Sequence, residues 1–244
     1  MAYAVRHDQH DHHPDAQPGR CPGPGLCGRA VVTGLGGTGR LADDLYLMAH
    51  HDRTGKPLLQ PRAAGLGLAG GLLTELVLAG HIEVEGGEIV IADRNPPEDE
   101  LAGLVLAVLL GQPQHPARDW LAFLARTAAG HVPRRLEQAG YLTRAAARAP
   151  WSGQRWVPVD PDCAFAPVAR AQAALRPGRL PAAQGTALAG LAVACGLGSR
   201  LLPCGPPQAR RRLGTALSQL DPGLRELIAQ TQAAVDSALL SHRV

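Results

Sequence analysis

Gly34, Gly36 and Gly39 stand at the spacing G-x-G-x-x-G within "VVTGLGGTGRLADD", residues 31–44. Glycines so spaced can cradle a pyrophosphate when a strand precedes them and a helix opens a βαβ unit behind them. Val31-Val32 could end a strand, and an apolar helical pattern starts at Leu41. The remaining context is missing. A proline- and glycine-rich stretch precedes the loop, the next helix runs into a turn and another helix, and no βαβ unit can be assembled. These glycines read as a boundary. A second group, His7, His10, His12 and His13 with Cys21 and Cys27, has side chains that metals favour. Its spacing fits no closed zinc pattern, so no functional metal and no cofactor are expected. Ser152, His115, His131 and the five cysteines carry no signature of a nucleophile elbow or an activated thiol. His81 sits where structural roles are commoner, at the start of a strand. The chain is therefore read as a non-enzyme.

What chemistry remains is cationic. The formal net charge is only +3, too small to imply nucleic-acid binding by itself. Its distribution is uneven: residues 118–155 hold seven arginines (118, 126, 134, 135, 144, 148 and 155) against Asp119 and Glu137. Such a stretch suits phosphates or an anionic membrane, and a solvated arginine face is the plain alternative. Lys56 is the sole lysine, and with abundant Ala, Gly and Pro this suggests a GC-rich bacterial genome. No apolar leader opens the chain and the cysteines are scattered, so a reducing cytoplasm is expected.

The elements that must position these groups begin at Leu41. Residues 1–40 have no sustained period and read as a disordered His-, Gly- and Pro-rich extension. Residues 41–244 read as one mainly α domain, a helical bundle wrapped by amphipathic helices with two small β-hairpins. Leu41, Leu45 and Met48 recur at helical spacing, with Asp43 and Asp44 in the first turn. A helix apolar nearly all round follows and stops at Ala79-Gly80. "HIEVEGGEIVIAD" then alternates around Gly86-Gly87, which signals a hairpin. Residues 132–160 repeat this unit. Between them lie a helix over "EDELAGLVLAVLLG" and a separate amphipathic one over "HPARDWLAFLART". After 160 helices are expected near 166–176, 181–197, 206–219 and 222–241. The uncharged run 182–199 is read as a buried central helix and not a membrane span.

Two families of reading compete for this arrangement. "RRLEQAGYLTR", with a hairpin behind it, resembles the last helix and wing of winged-helix regulators, in which Arg134, Arg135 and Arg155 would reach phosphates. The segment order resembles something else more fully. "LADDLYLMAHHDRTGKP", then "GLAGGLLTELVLAGHIEVEGGEIVI", then "RRLEQAGYLT" and a hairpin, is similar to the Golgi phosphoprotein 3 family of vacuolar-sorting adaptors and their bacterial relatives. That resemblance implies a helical domain with a projecting hairpin, here 143–157, available to protein partners or to oligomer formation. It also implies a peripheral membrane protein that binds phosphatidylinositol 4-phosphate, with anionic phospholipid as partner and no nucleic acid. Its place would be the cytoplasm, on the inner face of the membrane. Of the family's headgroup positions, the Trp falls on Gln60 and the first Arg on Ala69. The later pair falls on Arg126 and Ala129. Arg62, Arg134 and Arg135 are the further cations expected near Arg126.

Overall fold

The computed structural model describes residues 38–112, 115–145, 154–176, 182–201 and 206–241. The histidine cluster, Cys21, Cys27, Gly34, Gly36 and the loop 146–153 of the second hairpin lie outside the described residues. The first half of the fold comprises α1 (Leu41–Met48), α2 (Pro61–Leu78), β1 (Ile82–Glu85), β2 (Glu88–Ile91), α3 (Glu100–Gly111) and α4 (Ala117–Gln138). There follow β3 (Leu142–Arg144), β4 (Trp156–Pro158), α5 (Pro161–Ala174), α6 (Ala183–Ala194), α7 (Gly198–Leu201), α8 (Pro206–Leu217) and α9 (Pro222–Leu240). The protein is mainly α with two small antiparallel hairpins, as the residue patterns indicated.

The organising helix is α2. Pro61 opens it at a position where its missing N–H costs nothing. Its residues are apolar nearly all round, and small ones let three neighbours come close. A Cβ on Gly71 would lie 2.9 Å from the Ala42 Cα of α1, and one on Gly65 would lie 2.7 Å from the Ala125 carbonyl oxygen of α4. One on Gly70 would lie 2.7 Å from the Thr231 hydroxyl of α9. Helices α2 and α4 therefore run parallel, residue 65 beside 125 and Glu75 beside Arg135. The uncharged run becomes α6, buried from Gly185 to Ala192, which completes the centre with α2. Among the described residues no helix is long and apolar enough to cross a membrane.

Both hairpins are launched in the same way. Gly80 and Gly140 follow α2 and α4 with φ of 76° and 80°. The next amide then returns to the helix, His81 N to Leu76 O at 3.0 Å and Tyr141 N to Leu136 O at 2.9 Å. This left-handed closure satisfies the last carbonyls and turns the chain outward. Gly86 and Gly87, both at positive φ, close β1 on β2 with Glu85 opposite Glu88. In the second hairpin Leu142 pairs with Pro158 and Arg144 with Trp156.

Two boundaries differ from the sequence reading, and one is that α5 begins at Pro161, capped by Asp160, and not near 166. The helices expected over 115–127 and from 132 are one, α4, which runs through Pro133. Pro133 has no N–H for the Ala129 carbonyl and would normally break a helix. The continuous apolar seam of Leu121, Leu124, Ala128, Val132 and Leu136, each at most 2% exposed, holds the helix together across it. This also removes the winged-helix geometry. A long core helix occupies the place of a helix-turn-helix, and its Arg135 face is buried.

Candidate functional site

Helix α4 meets the start of α2 and the second half of α9 around a cavity of about 1000 Å³. Arg62 comes from α2, and Arg118 and Arg126 come from α4. Asp119 is the one carboxylate among the lining residues, with Arg118 Nε at 3.6 Å from its Oδ1. Among the described residues no carboxylate lies within ion-pairing distance of Arg62 or Arg126, and both are exposed. Much of the remaining lining is small and apolar, Gly65, Ala122, Ala125, Ala233 and Ala234, with Leu66 beside them. Gln230 and Ser237 on α9 add hydrogen-bonding groups. The spacing explains the convergence. Residues 61, 62, 65 and 66 share one face of α2, residues 118, 122, 125, 126 and 129 one face of α4, and residues 230, 233, 234, 237 and 238 one face of α9. Gly65, pressed against the Ala125 backbone, lets α2 and α4 meet closely along one side of the cavity. A lining with three guanidiniums to one carboxylate suits an anion, phosphate above all, since arginine offers forked donors.

The other expected positions are distributed differently. Ala129 lines the cavity, and its carbonyl lacks a helical partner because of Pro133. Gln60 is exposed as the N-cap of α2, next to Pro61 at the cavity's edge. Ala69 is fully buried one turn beyond Gly65 and belongs to the core. Arg134 is exposed on α4 but does not line the cavity.

Arg135 does not belong with the cavity arginines. It is 7% exposed and sits among three carboxylates. Its Nη2 lies 2.8 Å from Asp43 Oδ1, its Nη1 2.6 Å from Asp99 Oδ2, and the same Nη1 3.4 Å from Glu75 Oε2. Arg40 closes the group from outside, 3.0 Å from Asp99 Oδ1. Glu75 also accepts the Ala42 N–H at 2.7 Å, and Asp99 accepts the Ala102 N–H at 2.9 Å to cap α3. One guanidinium thus ties α1, α2, α3 and α4 together. Asp43 and Asp44, expected in the first turn as carboxylates that suit the helix dipole, are both buried anchors. Asp44 takes Arg170 of α5 as its ion-pair partner and accepts from Thr38 N at 3.0 Å.

Three carboxylates share two arginines, so this cluster carries one surplus negative charge. Burial pushes Asp43 up to about 7 against the pull of Arg135, and burial likewise raises Glu75. A carboxyl whose folded pKa is raised binds its proton more tightly folded than unfolded. The stability it contributes is therefore present at low pH and is lost as pH rises toward about 7. Urea midpoints should fall between pH 5 and pH 8, by roughly 2 kcal/mol of unfolding free energy. Asp43→Asn should flatten that fall, and an equally steep fall in the variant would assign the proton elsewhere.

Of the four nominated arginines, Arg62 and Arg126 line the cavity. The sequence reading counted Arg118 only as part of a charge run and did not name the α9 wall. The 3.6-residue recurrence of Gln230, Ala233, Ala234 and Ser237 was available, but alanine carries no chemical signal.

The fold and cavity define a helical domain with a basic cavity walled largely by small residues. Residues 41–234 match the family Golgi phosphoprotein 3 (GPP34), and the chain belongs to that family. No curated protein matches it.

Proposed function

We propose that the protein binds the phosphorylated headgroup of an anionic phospholipid in the cavity between α2, α4 and α9, and so attaches peripherally to a membrane, without a catalytic step, as an adaptor. The observation that carries this reading is the convergence of Arg62 and Arg126, far apart in sequence, on one cavity where neither has an ion-pair partner among the described residues. Membership of a family whose eukaryotic members bind phosphatidylinositol 4-phosphate supports it. The chain departs from that family's pattern at Gln60, Ala69 and Ala129, which removes an aromatic ring and two guanidiniums. Each charge-assisted bond so lost is worth about 1.5–3 kcal/mol. Preference for the 4-phosphate should therefore be shallow, with general attraction to anionic lipid, about 1 kcal/mol per basic group near the surface, supplying much of the binding.

Co-sedimentation with vesicles containing phosphatidylinositol 4-phosphate, cardiolipin or phosphatidylglycerol tests this. Binding at low salt that weakens as salt rises is the expected result. No binding to any of the three at low salt would overturn it.

A further inference from the structure

Large apolar side chains stand in solvent beside the lining residues on α4 and α9 and just ahead of α2. On α4, Phe123 is 46% exposed, immediately after Ala122 and three residues before Arg126. Its ring stands edge-on to Trp120, centroids 5.9 Å apart at 90°, and Trp120 is buried. The Phe123 ring is thus held at its base and presented outward. On α9, Leu240 is 65% exposed and lies three residues beyond Ser237, continuing the helix face that lines the cavity. Leu58, 44% exposed, precedes the first turn of α2, where Pro61 and Arg62 begin the lining.

These positions share one end of the fold. Gly70 packs on Thr231, while the earlier residues 61–66 and the later residues 233–238 line the cavity together. Helix α9 therefore runs antiparallel to α2, and its C-terminal end lies beside the start of α2. Residue 125 of α4 packs at Gly65, which puts Phe123 at the level of the first turn of α2.

We propose that Phe123 and Leu240 form an apolar rim that enters the acyl region of an anionic bilayer while the cavity between them receives the headgroup, an inference that rests on the headgroup reading above. Leu58 adds to the same rim from the segment that leads into α2. Two physical points favour a bilayer over a protein partner. The apolar groups stand singly on different helices, beside a cavity lined by Arg62, Arg118 and Arg126, whereas a protein-docking surface concentrates its apolar area in one patch. A fluid lipid surface accommodates separated apolar side chains and meets the cationic excess with anionic headgroups. The rim side chains and the arginines then act on different depths of the same lipid, acyl chain and phosphate.

Two probes separate the rim from the cavity: vesicles of mixed phosphatidylcholine and phosphatidylglycerol, and monomeric dihexanoyl phosphatidylglycerol in solution. Phe123→Ala should weaken partitioning onto the vesicles about fivefold, as expected for a half-exposed Phe that becomes buried. It should leave binding of the short-chain lipid unchanged, and Phe123→Trp should restore vesicle binding. Leu240→Ser should act in the same direction. Tryptophan fluorescence of the Phe123→Trp variant should be quenched by lipids brominated on the acyl chains more than that of the wild type. If Phe123→Ala partitions like the wild type, the rim is not inserted and the headgroup reading alone survives. If Phe123→Ala loses both probes equally, Phe123 belongs to the binding cavity and the proposal fails. If the wild type binds neither probe, the headgroup reading fails and takes this inference with it.

Discussion

Arg135→Met is expected to lower the unfolding free energy by about 3–5 kcal/mol, the largest loss of any single substitution at a charged residue here. The reason is the company Arg135 keeps. It is 7% exposed, and its removal strands the buried Asp43 and the largely enclosed Glu75, with Arg40 reaching only Asp99. Two carboxyls must then either stay charged without a partner or take up protons. Four helices lose their common tie, so the loss should appear in urea and thermal unfolding alike. Pairing the substitution with Asp43→Leu should recover part of it, because an apolar pair of similar volume leaves no stranded charge. A loss below about 1 kcal/mol would show that the cluster behaves as a surface ion pair.

The second large effect concerns binding. The double substitution Arg62→Ala with Arg126→Ala should reduce affinity for anionic vesicles by about 100-fold or more, at about 1.5–3 kcal/mol for each charge-assisted bond. Unfolding should barely change, because both side chains are exposed and form no ion pair among the described residues. Arg118→Ala should have a smaller effect, since Asp119 already offsets part of its charge. Loss of binding with the fold intact separates this outcome from that at Arg135, where the fold itself fails.

Much of this architecture was legible in the residues. The apolar-all-round patterns of α2 and α6 marked the centre, and Gly86-Gly87 and the repeated Ala-Gly ends marked the hairpins. The join through Pro133 was not legible, because a proline signals a break unless tertiary packing outweighs it. The buried seam on α4 supplies that packing. The roles of the acids were hidden for a related reason. Asp43 and Asp44 sit where a helix dipole favours acids in any exposed first turn, and only their partners on α4 and α5 show that they are buried. Of the four nominated arginines, local sequence could not separate Arg134 and Arg135, which are neighbours on α4. Helical geometry turns one outward and the other into the core. The α9 wall, made of alanine, serine and glutamine, carries its meaning only through position.

The most direct test is a comparison of two substitutions on one helix with the same change of charge. Arg126→Ala and Arg134→Ala each remove one exposed arginine from α4, the first inside the cavity and the second outside it. Vesicle co-sedimentation at low salt should show Arg126→Ala weakened about 10- to 100-fold and Arg134→Ala weakened no more than about fivefold. Equal and modest losses in the two variants would mean that any membrane attraction is spread over the surface, and would contradict a headgroup site in the cavity.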